Sequence, residues 1–205
     1  ITTFRITKYL PGILLLFVLG LWVYHIIILS PIYKKATIDI KWADMIPTIQ
    51  LACKRFLLGQ DVYAPALQIK PEGINYLPMM WIPFLPSEIF KFDPRWITVT
   101  GLFVGIFVSS IHLLKKKKTI PLIPFLITLT ALFLLLNYLL TEYDAFWSLT
   151  EEGITAGFYL LLGFALLRKN YWLTGFAITC CILSRYSLLL WVPFILAIYF
   201  AKLYE

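Results

Sequence analysis

The sequence predicts an all-α fold: a polytopic bundle of transmembrane helices, with amphipathic juxtamembrane helices in a long first outer loop. Composition is the first observation behind this prediction, since 60% of the 205 residues are hydrophobic and 14% are charged, against roughly 25% in soluble domains. The second observation is a set of three apolar runs whose lengths are close to the ~20 helical residues that are needed to cross a hydrocarbon core. These runs are Tyr9–Leu29, Trp96–Leu114 and Thr119–Leu140. The third is the long stretch Ser30–Arg95 between the first two runs. We therefore treat residues 1–205 as a single transmembrane domain.

Basic residues beside the apolar runs set the expected orientation. The four-lysine run Lys115–Lys118 separates the second run from the third and is expected in the cytoplasm. Arg5 and Lys8 place the start of the chain on the same side. Both assignments hold if residues 30–95 form an extracytoplasmic loop with juxtamembrane helices. Of the 11 acidic residues, all except Glu205 then lie on the outer side, which suggests that chemistry at this face uses carboxylates.

Further apolar segments complete the expected topology. Tyr76–Phe90 contains three prolines, which interrupt a helix, so we expect it to lie near the outer interface without crossing. Gly153–Leu167, Tyr171–Leu183 and Ser187–Ala201 are expected to enter the membrane, which gives six membrane-embedded helices. A single long helix that covers both of the last two segments is the open alternative.

An amphipathic helix is predicted in the loop from Asp44 to near Leu58. Asp44 is a favourable N-cap residue, Pro47 is tolerated in the first turn, and Gly59 favours termination. The apolar stripe expected to lie on the membrane consists of Met45, Ile49, Ala52, Cys53 and Phe56. The other aspartates of the loop are expected to be solvated charges: Asp39, Asp61 and Asp93.

These residues carry a resemblance to a known family. Asp44 with its helix, the segments Leu57–Tyr63 and Asn75–Pro78, and Pro83 resemble the first outer loop of GT-C glycosyltransferases, closest to the polyprenol-phosphate-mannose-dependent mannosyltransferases. The stretch Gly163–Arg185 resembles the family's small-residue helix that leads to a basic residue. Enzymes of this fold are longer than this chain, so the resemblance implies the N-terminal part of a larger GT-C-like module.

The resemblance implies a membrane glycosyltransferase that moves a sugar, with mannose the first expectation, from a polyprenyl-phosphate donor to a glycan, lipid or protein acceptor on the extracytoplasmic side. It assigns the general base to Asp44, which takes the acceptor hydroxyl proton as the phosphate leaves. Arg185 and Arg55 are candidate phosphate ligands, because a guanidinium binds phosphate in fork geometry. The other candidate substrate-binding residues are Tyr63, Tyr76, Glu151 and Glu152.

Each candidate also has an ordinary structural explanation. These are helix capping for Asp44, headgroup contact or snorkelling for the arginines, a favourable helix-dipole position for the glutamates and an interfacial belt for the tyrosines. No cofactor or metal site is predicted, although the carboxylates leave metal dependence open. The net charge of +7 is explained by lysines and arginines beside the membrane spans, which set the topology. No nucleic-acid partner is therefore expected.

Two rival functions stay open: a membrane transporter or channel component, and a noncatalytic assembly subunit. Transporters place ionisable residues inside their spans. The three long apolar runs contain only His25 and His112 as ionisable residues other than tyrosine, whereas charge collects in the outer segments. This distribution favours chemistry at the outer membrane surface, with membrane lipid as the surrounding partner.

Overall fold

The computed structural model describes residues 10–35, 38, 44–66, 71–115, 122–142, 150–186, 190–191, 193–194 and 197. Every regular element within these ranges is helical, which confirms the all-α class. In the described part of the chain, two helices are long and apolar enough to cross a membrane, Gly12–Lys35 and Leu122–Thr141, and two shorter apolar helices are Arg95–Ile111 and Tyr171–Ile182. The orienting residues Arg5, Lys8 and the lysines after Lys115 lie outside the described residues.

The described α-helices follow in chain order: α1 (Leu10–Lys35), α2 (Met45–Leu57), α3 (Pro78–Trp81), α4 (Leu85–Phe90), α5 (Arg95–Lys115), α6 (Leu122–Asn137), α7 (Glu152–Arg168) and α8 (Tyr171–Ile182). A 3₁₀ turn, Ile82–Phe84, joins α3 to α4, and a π-helical turn, Tyr138–Glu142, extends α6. We call residues 36–94, which link α1 to α5, the connecting region.

The helix α1 is longer than its apolar run predicts, because it continues through Pro31 to Lys35 instead of ending at Leu29. Proline removes one backbone donor, yet contacts beyond it hold the last turn. The ring centroids of Tyr33 and Trp96 are 4.7 Å apart. The backbone carbonyl of Tyr33 accepts a hydrogen bond of 2.8 Å from Arg95. The helix therefore continues past Ser30, where the outer loop is predicted to begin, and the start of that loop relative to the membrane stays a prediction.

Arg95 fastens the end of α1 to the start of α5. Arg95 is 2% exposed, and its Nε lies 2.9 Å from each of the two carboxylate oxygens of Asp93. Its guanidinium carbon also lies 4.3 Å from the ring centroid of Tyr33. A buried charge is tolerated when it is paired and hydrogen-bonded. The prediction that Asp93 is a solvated loop charge is therefore wrong, because Asp93 is the counter-ion of Arg95.

The apolar face of α2 packs into a cluster with the rest of the connecting region and the start of α7. The cluster consists of Ile46, Ile49, Ala52, Cys53, Val62, Ile74, Trp81, Phe84 and Ile154. Protein side chains therefore cover Ile49, Ala52 and Cys53 of the predicted stripe, and the expectation that these three residues lie on the membrane is wrong. The predicted stripe member Phe56 is 51% exposed, and with Leu57 and Leu58 it forms the exposed apolar end of the helix.

Prolines divide the apolar segment Tyr76–Phe90 as the sequence predicts. Pro78 begins α3, Pro83 lies in the 3₁₀ turn, and Pro86 lies in the first turn of α4. The resulting pieces are each far shorter than the ~20 residues needed for a crossing. The interruption is confirmed, and its position at the outer interface stays a prediction.

The described helices α5 and α7 pack closely through two small-residue motifs, Gly101-x-x-x-Gly105 and Gly153-x-x-x-Gly157. A Cβ placed on Gly157 would lie 2.6 Å from the carbonyl oxygen of Gly101, and one on Gly105 would lie 2.7 Å from the Cα of Gly157. Such motifs let helix backbones approach closely in membranes. The start of α7 is consequently held against α5 with little freedom.

Replacing Gly157 with Ala should destabilise the protein by about 1–3 kcal/mol, because the new methyl group collides with backbone that cannot move aside. Gly163 on the same helix is the matched control, since nothing lies within 4 Å of a Cβ placed there. Gly163→Ala should leave stability unchanged or raise it slightly. Thermal unfolding of both variants in detergent is the measurement, and equal melting temperatures would contradict the close crossing.

The helix α8 ends at Ile182, where Leu183 follows as its C-terminal cap residue. The chain then turns, and the backbone N–H groups of Ser184 and Arg185 both donate to the carbonyl of Cys181. The alternative of a single long helix from Tyr171 to Ala201 is therefore wrong. The expected last crossing, Ser187–Ala201, lies mostly outside the described residues.

Candidate active site

Five of the seven candidate residues belong to one electrostatic network, which we call the Arg185 cluster: Asp44, Tyr76, Glu151, Glu152 and Arg185. They come from four separate parts of the chain, namely the start of α2, the segment before α3, the start of α7 and the turn after α8. Their charges act on one another, as described below for Glu151 and Tyr76. The candidates Arg55 and Tyr63 lie apart from this network.

Hydrophobic packing brings the start of α2 to the start of α7. Ile46, two residues after Asp44, belongs to the same buried cluster as Ile154, which follows Glu151 by three residues. The start of α7 is also held from α5, because the Thr98 hydroxyl donates a 2.8 Å hydrogen bond to the carbonyl of Thr150. The carboxylates on both helices are thus positioned by rigid elements.

A backbone contact brings the turn after α8 to the same place. The N–H of Met79 in α3 donates a 2.9 Å hydrogen bond to the carbonyl of Leu183. Ser184 is fully buried, and its hydroxyl donates a 2.9 Å hydrogen bond to the carbonyl of Cys181. Arg185 follows Ser184 directly, so the hydrogen bonds of Leu183 and Ser184 hold its backbone close to α3.

Arg185 binds both glutamates through one nitrogen. Its Nη2 donates a hydrogen bond to Oε1 of Glu152 and lies 3.2 Å from Oε1 of Glu151. The side chains of Arg185 and Glu152 are each 32% exposed, whereas that of Glu151 is 0% exposed. The ion pair therefore has one buried acid and one acid that solvent reaches.

Glu151 is a buried carboxyl group whose charge is only partly compensated. Burial raises the pKa of Glu151, the Arg185 guanidinium opposes this shift, and the negative charges of Glu152 and Asp44 add to it. Among the described residues, neither carboxylate oxygen of Glu151 has a hydrogen-bond partner of good geometry. Acids whose pKa is raised within a cluster of charges are typical of functional sites.

Tyr76 faces the same charges. Burial raises the pKa of the Tyr76 hydroxyl, the charges of Glu151 and Asp44 raise it further, and the charge of Arg185 lowers it. The hydroxyl therefore stays protonated and is suited to donate a hydrogen bond. The burial of Tyr76 and the charges around it also argue against its being simply an aromatic residue at the membrane interface.

Asp44 stands at the N-terminus of α2 without capping it. Across residues 44–58, all of which are described, the Asp44 side chain accepts no capping hydrogen bond. Its backbone carbonyl instead accepts bonds from the N–H of Thr48 at 3.0 Å and from the Thr48 hydroxyl at 2.6 Å. A side-chain capping bond therefore does not explain the carboxylate at this position.

Arg55 has a structural function in the connecting region. Its guanidinium donates to three backbone carbonyls, of Val62 at 3.3 Å, Ala64 at 2.5 Å and Pro65 at 2.9 Å. These bonds close the turn after α2. Arg185 is therefore the better candidate for binding a phosphate, whereas Arg55 stabilises the turn after α2.

Tyr63 lies in the same turn and is 46% exposed. Its backbone N–H donates a 2.9 Å hydrogen bond to Oδ1 of Asp61. No described interaction joins its ring to the Arg185 cluster. A sugar-binding role for Tyr63 stays a prediction without support from its position.

Thr98 and Met79 support the site, although sequence reasoning did not single them out. The two glycine motifs of α5 and α7 were the available signal for Thr98, because their spacing predicts a close helix pair. Met79 acts through its backbone, which no side-chain pattern reveals. Among the described residues, no three His, Cys, Asp or Glu side chains are arranged to hold a metal ion.

The raised pKa of Glu151 predicts a pH-dependent stability. The folded protein holds this proton more tightly than the unfolded chain, so the contribution is complete below the ordinary value of 4.5 and is lost as the pH rises through the raised pKa. Glu151→Gln lacks this titrating group, so it keeps its stability as the pH rises. The melting temperature of the variant minus that of the wild type should therefore increase with pH, by about 2–4 °C for each kcal/mol of stability that the wild type loses. Glu72→Gln, at an exposed position, should follow the wild type, and parallel curves for Glu151→Gln and wild type would contradict the assignment.

No protein-family model, curated protein or solved structure matches this chain. The functional assignment therefore rests on the residues themselves and on the geometry that brings them together.

Proposed function

We propose that this chain belongs to an integral membrane glycosyltransferase of the GT-C kind, of which it forms an N-terminal part. The enzyme transfers a sugar, with mannose as the first candidate, from a polyprenyl-phosphate donor to an acceptor hydroxyl at the extracytoplasmic face. One observation carries the proposal: the aspartate that the resemblance makes catalytic lies in the same charge network as Arg185. A base and a phosphate-binding cation are the two groups that this reaction requires.

The chemistry divides between Asp44 and Arg185. The Asp44 carboxylate takes the proton of the acceptor hydroxyl while the acceptor oxygen bonds to the anomeric carbon of the sugar. The bond from that carbon to the phosphate oxygen breaks, and the lipid phosphate leaves with the electron pair. Arg185 stabilises the negative charge on the leaving phosphate, since charge-assisted hydrogen bonds are about twice as strong as neutral ones.

Glu151, Glu152 and Tyr76 complete the proposed site. Glu151 is buried and holds the guanidinium of Arg185 in place. The Tyr76 hydroxyl is protonated and close to the charged groups, so it is suited to donate a hydrogen bond to a sugar or phosphate oxygen. The network then positions donor and acceptor before the reaction, which is a major source of rate enhancement.

The proposed topology places the connecting region and residues 141–152 outside the cytoplasm, between helices of a six-helix membrane domain. Lys91 offers a test, because its side chain is 77% exposed and its backbone is left-handed at the end of α4. In a variant whose three native cysteines are replaced, Lys91→Cys should react with a membrane-impermeant maleimide added from outside. Reaction from the cytoplasmic side alone would overturn the topology, and with it the outer location of the site.

The transporter alternative loses one of its arguments. It was strongest if Arg185 lay in the middle of a single long helix, as ionisable residues of transport pathways do. Arg185 instead follows the end of α8 and pairs with acids at the start of α7. A charge cluster formed by helix ends and a connecting region fits surface catalysis better.

Sugar transfer by the complete, detergent-solubilised protein tests the proposal. We expect transfer from a polyprenyl-phosphate-mannose donor to an acceptor and no transfer from a nucleotide-linked mannose. The same protein in sealed vesicles should move no free sugar across the membrane. Transfer from the nucleotide donor, or transport without transfer, would replace this proposal with another function.

A further inference from the structure

The two glutamates of the Arg185 cluster occupy the nitrogen that a phosphate needs. Nη2 of Arg185 is hydrogen-bonded to Glu152 and lies 3.2 Å from Glu151, and no other partner of this guanidinium occurs among the described residues. A guanidinium offers pairs of parallel N–H bonds at two edges, and Nη2 belongs to both edges. A phosphate bound in fork geometry must therefore take a place that one glutamate holds.

Burial decides which glutamate gives way. Glu151 is 0% exposed, so separating it from Arg185 would leave an uncompensated buried charge, which is strongly destabilising. The Glu152 side chain is 32% exposed, as is that of Arg185. An ion pair with this degree of exposure contributes little to stability. Glu152 can therefore turn towards solvent at small cost while Glu151 stays in place.

We infer that Glu152 is an internal competitor of the donor phosphate for Arg185. This inference rests on the proposed function and assigns Glu152 a positioning role within it. In the empty site, Glu152 keeps the guanidinium oriented. The phosphate of an incoming lipid-linked donor displaces the Glu152 carboxylate from Nη2, and the carboxylate returns when the lipid phosphate departs after transfer. The exchange neither forms nor breaks a covalent bond.

Binding of farnesyl monophosphate to the solubilised full protein tests the inference, because this probe contains the phosphate and a polyprenyl chain but no sugar. Glu152→Gln should bind the probe about fivefold tighter than the wild type, equivalent to ~1 kcal/mol. In an Arg185→Gln background the same change should have no effect, since there is no longer a guanidinium to compete for. Glu72→Gln, which removes an exposed acid, controls for net charge.

The double-mutant comparison separates competition from simple repulsion. If Glu152→Gln tightens binding equally with and without Arg185, repulsion between charges explains the effect and the competitor role is overturned. If Glu152→Gln leaves binding unchanged or weakens it, the competitor role is also overturned while the donor site stands. If Arg185→Gln binds the probe as well as the wild type does, or the wild type does not bind it, the proposed phosphate site itself is wrong.

Discussion

Replacing Asp44 with Asn is expected to slow sugar transfer by about 10²–10⁴-fold, the usual cost of removing a general base. The loss should appear in kcat, with the donor KM nearly unchanged, because Asp44 acts on the acceptor proton and does not bind the phosphate. Folding should survive, since the two side chains have the same shape and the Asp44 carboxylate makes no capping bond within the described helix start. Initial rates with a polyprenyl-phosphate-mannose donor are the measurement.

Asp61 supplies the matched control for this change. It is an exposed aspartate of the same connecting region, and its carboxylate accepts one hydrogen bond of 2.9 Å from the backbone N–H of Tyr63. Asp61→Asn should keep near-normal turnover, because an amide oxygen can accept the same bond. A fully folded Asp44→Asn variant with near-normal turnover would show that Asp44 is not the base.

Changes at Arg185 are expected to weaken donor use in a graded way. Arg185→Lys keeps the charge but loses the fork geometry, so the donor KM should rise about tenfold, or ~1.4 kcal/mol. Arg185→Gln also loses the charge and should raise the donor KM about 100-fold, within the range for hydrogen bonds to charged groups. Donor-dependence curves for the two variants at saturating acceptor are the measurement.

Arg55 distinguishes phosphate binding from structural support. Arg55→Gln removes the guanidinium that holds three backbone carbonyls, so it should lower the melting temperature without a large change in donor KM. An equal donor KM in folded Arg185→Gln and wild-type protein would leave Arg185 with only an anchoring role. A large increase of the donor KM in Arg55→Gln at preserved stability would move the phosphate site to Arg55.

Local signals in the sequence predicted most of the helices. Pro47 and Gly59 placed α2 correctly, because first-turn and termination preferences depend on near neighbours in the chain. Local reasoning did not find the end of α1. The apolar run ends at Leu29, but contacts from Arg95 and Trp96 stabilise the helix to Lys35, and such contacts between distant residues leave no local pattern.

The candidate site was predictable in its charged residues and not in their pairing. The resemblance named Asp44, Arg185 and the two glutamates, yet no spacing in the sequence indicates that Nη2 of Arg185 contacts both acids. Arg55 shows the opposite case. Its charge suggested phosphate binding, whereas its partners are carbonyls that follow it closely in the chain, and only the backbone path of the turn determines this.

A cryo-EM structure of the complete protein with a bound polyprenyl-phosphate sugar is the most direct measurement. We expect the phosphate oxygens about 2.7–2.9 Å from the guanidinium nitrogens of Arg185, with Glu152 turned away and the anomeric carbon facing the Asp44 carboxylate. Density for the phosphate at a site away from Arg185, or an Asp44 carboxylate with no access to the sugar, would contradict the proposed reaction.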